Sequence, residues 1–105
     1  MEKIKITIEK KQITEFSNAF IFRHKRKAVA IVESSVDLKT CSKIWKYCLF
    51  PTRAGGLYFQ TDCPENAFLT VKNNLADYCE SITGASVEID LQPKNFELQQ
   101  ILHIQ

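Results

Sequence analysis

The sequence predicts an α+β domain: a two-layer mixed sheet of about five strands, its N-terminal antiparallel part joined to a strand–helix–strand unit, packed by two long helices and a short C-terminal helix. Three observations carry this prediction. Near the N-terminus Ile4, Ile6 and Ile8 alternate with Lys5, Thr7 and Glu9, the period-two pattern of a strand with one wet face. Two later stretches space their apolar residues by three and four, as an amphipathic helix does. A second alternating run, Val87, Ile89 and Leu91 against Ser86, Glu88 and Asp90, closes the pattern. With 105 residues, 45% of them apolar and 25% charged, the chain has the size and composition of one globular domain spanning 1–105.

The elements follow in order. After the first strand, Lys10 to Asn18 is polar apart from Ile13 and Phe16 and reads as a connection. Two apolar runs come next, Ala19 to Phe22 and Ala28 to Val32, joined by Arg23-His24-Lys25-Arg26-Lys27. They form an antiparallel hairpin with the basic stretch at its tip. The tip holds no Gly, Asn or Asp, so a loop longer than a tight two-residue primed turn is expected. Ser34 and Ser35 then offer helix N-caps, with Asp37 in the first turn. Val36, Cys41, Ile44, Trp45, Cys48 and Leu49 follow at helical spacing, and Pro51 ends that helix after Phe50.

Gly55 and Gly56 fall in the loop before a short strand, Leu57 to Thr61. The next helix has the clearest signals: Asp62 as N-cap, Glu65 three residues on, Pro64 in the first turn and Gly84 as a left-handed stop. Phe68, Val71, Leu75, Tyr78 and Ile82 step along one of its faces. Strand–helix–strand from Leu57 to Leu91 has the length of a right-handed crossover between parallel neighbours. Pro93 ends the last strand, and Phe96, Leu98, Ile101 and Leu102 suggest a terminal helix, or a final strand over 101–105.

Several function classes lose support at this level. No apolar run approaches the roughly 18–20 residues that span a bilayer. Met1 to Lys5 alternates charge with isoleucine and lacks the apolar core of a signal peptide, so a cytoplasmic location is expected, with Cys41, Cys48, Cys63 and Cys79 as reduced thiols. There is no Cys-x-x-Cys and no pair of histidines at ligand spacing, so neither a metal site nor a cofactor is expected. Arg53-Ala54-Gly55-Gly56 follows a helix and opens a strand, the reverse of a phosphate loop's order. Cysteines 41, 48 and 79 read as small core hydrophobes.

The net charge of +2 conceals a split. Through Arg53 there are 12 Lys+Arg against 5 Asp+Glu; from Ala54 onward there are 2 against 7. Such asymmetry points to an acidic partner, to nucleic acid or to a second copy, or simply to halves that attract each other within one fold. The binding candidates are the tip residues Arg23, His24, Lys25, Arg26 and Lys27, with Phe20 and Phe22 beside them. Hairpin tips are also charged merely to stay solvated and to discourage edge pairing. Lys5 is a secondary candidate with the tip, and Glu88 and Asp90 are secondary candidates on the last strand, where a solvated face is the simpler reading.

Cys63 sits at a helix N-terminus, which favours a thiolate, but Asp62 and Glu65 flank it with opposing charge. No catalytic constellation is visible, and no catalytic residue is assigned. The expected function is a small non-enzymatic protein-binding module of the inhibitor, antitoxin, immunity or adaptor type. The alternative is a nucleic-acid-binding protein using the tip Arg23 to Lys27.

Overall fold

The computed structural model of the chain describes residues 2–92. Within them six strands and one helix follow as β1 (Glu2–Thr14), β2 (Ser17–His24), β3 (Lys27–Asp37), β4 (Ser42–Leu49), β5 (Tyr58–Thr61), α1 (Pro64–Thr83) and β6 (Val87–Gln92). The sheet order is β5-β4-β3-β2-β1-β6. Neighbours are antiparallel except β1 and β6, which run parallel. The sheet curls into a half-barrel whose inner face takes α1. The α+β class is as expected, but there is one helix among the described residues where two long ones were expected.

The first expected helix is instead the end of β3 and all of β4. Ser34 and Ser35 are no helix caps; they lie within β3, facing Trp45 and Ile44 across the ladder. The difference has a physical cause. Trp45, Tyr47 and Leu49 point to the helix-covered face while Ile44 and Cys48 point to the other, and a strand apolar on both faces has no clean period of two. The break falls at Leu38 to Cys41, a turn in which the Asp37 carboxylate accepts from the Lys39 amide at 2.9 Å and Cys41 N–H donates to the Asp37 carbonyl at 2.7 Å. Asp37 is thus a turn former, and Cys41 and Cys48 share no helix face. Likewise, the expected connection from Lys10 to Asn18 is strand for most of its length, with β1 running to Thr14 and turning into β2 at Ser17.

The strand–helix–strand unit exists, but its strands are not neighbours. β5 and β6 lie at opposite edges of the sheet, and the parallel partner of β6 is β1. Lengths explain this. A 20-residue helix spans about 30 Å, and the five gaps of a six-stranded sheet sum to roughly 24 Å. α1 therefore crosses the full width of the sheet, packing on β3, β4, β5 and β6.

The core forms where α1 meets the inner face. Ile6, Ile8, Phe20, Phe22, Val32 and Trp45 from the strands enclose Phe68, Val71, Leu75 and Cys79 from the helix, all buried. Phe68 is the centre, with ring centroids 5.4 Å from Phe20, 5.8 Å from Trp45 and 6.1 Å from Phe22. The helix begins one residue later than expected: its N-cap is Cys63, not Asp62, and no side chain caps it. Its end is as expected, with Gly84 at φ 74° donating to the Glu80 carbonyl at 2.8 Å. No helix of the described residues is long and apolar enough to cross a membrane. The expected terminal element over 94–105 lies outside the described residues.

Candidate functional site

The sequence singled out the β2–β3 connection, and the structure gives it a different shape from the one expected. His24 pairs directly with Lys27, leaving Lys25 and Arg26 as a two-residue turn with φ of 50° and 72°. Both central residues lie in the left-handed region, the pattern of a type I′ turn. The twist of the flanking strands demands that turn, and here it prevails over side-chain preference. The cost is real, about 1–2 kcal/mol for each non-glycine residue held left-handed. Arg23 offsets part of it, because its guanidinium donates to the Arg26 carbonyl at 3.3 Å and pairs with Glu9 at 3.7 Å.

The five basic positions therefore separate. Arg23 braces the turn from the outer face of the sheet. His24, Lys25 and Arg26 line a recess of about 550 Å³, together with Lys5 and Thr7 of β1 and Ile4, Cys79, Ile82 and Thr83. Its chemistry is divided: cations stand at the rim, and Ile4, the buried Cys79 and the exposed Ile82 supply an apolar floor. The volume falls within the range of ligand recesses, roughly 300–1,000 Å³. Lys27 faces another hollow, which it shares with Ile31, Phe50, Pro51 and Arg53. One end of the molecule thus gathers Lys5, Lys25, Arg26, Lys27 and Arg53.

Some of this charge has a structural use. The recess abuts the C-terminal end of α1, whose last turn contains no basic residue. Cations near a helix C-terminus offset its partial negative charge. Lys25 and Arg26 supply from another element what the helix lacks.

The secondary candidates on β1 and β6 are explained by register. Lys5 stands beside Asp90, and Lys3 beside Glu88, across the parallel pair. Glu88 and Asp90 therefore face cations of their own sheet, which is how the basic first half and acidic second half meet at this edge. Sequence reasoning missed the floor of the recess. Ile4 belonged to a strand and Ile82 to a helix face, and only tertiary packing sets them side by side. Arg53 carries no signal of its own in the sequence beyond its place before the glycine loop.

The thiols are unpaired. Cys63 donates to Glu65 Oε2 at 2.8 Å, which holds the Glu65 carboxyl below its ordinary value, with a backbone hydrogen bond adding to the effect. His24 lines the recess at the opposite end of α1 from Cys63. Burial raises the Cys79 thiol, and burial followed by the nearby Glu33 carboxylate raises Cys48. These two are packing groups under neutral conditions. Among the described residues no cluster of three His, Cys, Asp or Glu is placed to hold a metal ion.

On the outer face Tyr58 is 40% exposed and donates to Glu33 Oε1 at 3.4 Å. Leu57 beside it is also exposed, as is Phe59, which lies on the opposite face with its ring stacked on Tyr47. Phe96, the other aromatic relevant to a protein-facing surface, lies outside the described residues. No protein-family model, curated protein or solved structure matches the chain.

Proposed function

We propose that this chain is a small, non-enzymatic protein-binding module, of the inhibitor, antitoxin, immunity or adaptor type, that docks through its β2–β3 end. One observation carries the reading: Lys25 and Arg26 occupy a left-handed turn at the rim of a recess. Asn-Gly would fill that turn with far less strain. Strain retained at an exposed position is a reason to look for function there, and the side chains it retains are those that line the recess.

The experiment compares the native chain with Lys25→Asn/Arg26→Gly as baits in nuclease-treated extract, followed by re-binding of the captured protein in purified form. A purified partner that binds the native chain and is lost on the variant supports the reading. Equal binding to both baits overturns this docking end.

The second reading is nucleic-acid binding, favoured by Lys25, Arg26, Lys27 and Arg53 meeting at one end beside the 41%-exposed Phe50. Counterion release at such a cluster makes binding fall steeply with salt. Titration with labelled single- and double-stranded DNA and RNA at low and physiological salt separates the two readings. Salt-sensitive binding that disappears in Arg23→Glu/Lys25→Glu/Arg26→Glu would move the assignment to nucleic acid.

A further inference from the structure

The protein-binding reading leaves the partner's chemistry open, and the recess beside the tip narrows it. Resting on that reading, we infer that the segment it receives is an acidic stretch of polypeptide carrying at least one large apolar side chain. The apolar side chain would enter between Ile4, Cys79 and Ile82, with flanking carboxylates at Lys25 and Arg26.

The recess is complementary to such a segment on both counts. Among the described residues, every charged one lining the recess is a cation, and no Asp or Glu lines it. Lys5 has Asp90 as its register neighbour, so the rim's attraction for an anion falls chiefly to Lys25 and Arg26 in the turn. A purely anionic ligand would leave the apolar floor unused, since Ile82 there is 58% exposed. A purely apolar ligand would have to desolvate the rim without compensation. A phosphate-rich strand is served poorly at this spot, because the C-terminal end of α1 beside it repels anions placed directly on the floor. Carboxylates held out at the rim, with a hydrocarbon side chain between them and the helix end, avoid that repulsion.

The test uses a short capped peptide with a central leucine–phenylalanine pair flanked by glutamates, titrated into the full chain and followed by backbone amide NMR. Two control peptides replace the glutamates by glutamines or the central pair by glycines, and a thymidine oligonucleotide serves as a further arm. The expected result is saturable shifts confined to 4–7, 23–27 and 79–83. Binding should weaken about tenfold or more for either control peptide, for Lys25→Glu/Arg26→Glu and for Ile82→Asp (a tenfold change is about 1.4 kcal/mol). Ile82 is exposed, so its substitution leaves the core intact, and unchanged spectra away from the recess will verify this.

Equal binding of the glutamine peptide, equal binding of the glycine peptide, shifts elsewhere on the surface, or binding of the oligonucleotide alone would each overturn the inference. So would no response at millimolar peptide. If the peptides fail while a purified partner still depends on Lys25 and Arg26, the docking end stands and only the acidic-segment inference falls.

Discussion

Lys5 of β1 and Asp90 of β6 are register partners across the parallel pair, side by side on the outer face of the sheet. Their register sets a cation of the basic first half beside a carboxylate of the acidic second half on neighbouring strands. A double-mutant cycle on Lys5→Ala and Asp90→Ala should give a coupling of about 0.2–1 kcal/mol in denaturant unfolding. That coupling should shrink as salt is raised. A coupling of zero at low salt would mean the two side chains do not interact.

The strained turn makes an opposite kind of prediction. Lys25→Asn/Arg26→Gly places residues suited to positive φ where Lys25 and Arg26 now stand at 50° and 72°. The double substitution should raise stability by about 1–2 kcal/mol, seen as a higher urea midpoint at unchanged slope. A loss of stability would show that the tip side chains stabilise the fold more than their backbone strain costs.

Phe68 joins the helix to the sheet through three aromatic contacts, with Phe20, Trp45 and Phe22. Phe68→Ala should cost about 3–5 kcal/mol, enough to unfold a large share of molecules given the marginal stability of small domains. Phe68→Leu should cost clearly less. Fluorescence of the single tryptophan, Trp45, reports both.

Gly56 lies against Cys48, and a Cβ at position 56 would collide with the Cys48 sulfur. The φ of Gly56 is not in the left-handed region, so the constraint is space rather than backbone conformation. Gly56→Ala should destabilise by about 1–3 kcal/mol. Cys48→Ala removes the obstructing sulfur, so the double variant should recover part of that loss. Full additivity in thermal unfolding would mean that the Cys48 sulfur is not the source of the loss.

Glu65 should titrate below an ordinary glutamate because the Cys63 thiol donates to it. A folded-state value lowered in this way contributes stability that is present above the unfolded value and lost as pH falls through the folded one. Cys63→Ala should therefore move the Glu65 carboxyl upward in an NMR titration and leave stability at neutral pH less affected than Phe68→Ala does. An unmoved Glu65 would show that the thiol is not its main partner.

Much of this fold was legible wherever one periodicity had no competitor. Ile4, Ile6 and Ile8 announced β1, Val87 and Ile89 announced β6, and Phe68, Val71 and Leu75 with Gly84 announced α1 and its end. Trp45 and Cys48 misled because a strand apolar on both faces mimics helical spacing. Lys10 to Thr14 misled because its strand character comes from pairing with β2, not from its own composition.

The candidate site was half legible. Contiguous charge at Arg23 to Lys27 marked the tip, since adjacency in sequence guarantees adjacency in space. Nothing in the sequence separates Arg23 from Lys25, because their difference lies in a positive φ and in a guanidinium reaching back to Glu9 and the Arg26 carbonyl.

The sequence by itself determined the α+β class, the long helix, the alternating strands β1 and β6 and the basic tip, all of which depend on interactions between residues a few positions apart. Tertiary structure decided the rest: that β6 lies beside β1, that α1 spans the whole sheet, that Lys5 stands in register with Asp90, and that Ile4 and Ile82 floor a recess rimmed by Lys25 and Arg26. Those outcomes follow from matching the length of a helix to the width of a sheet and from strand register, quantities set by the whole assembly and written in no single stretch of chain.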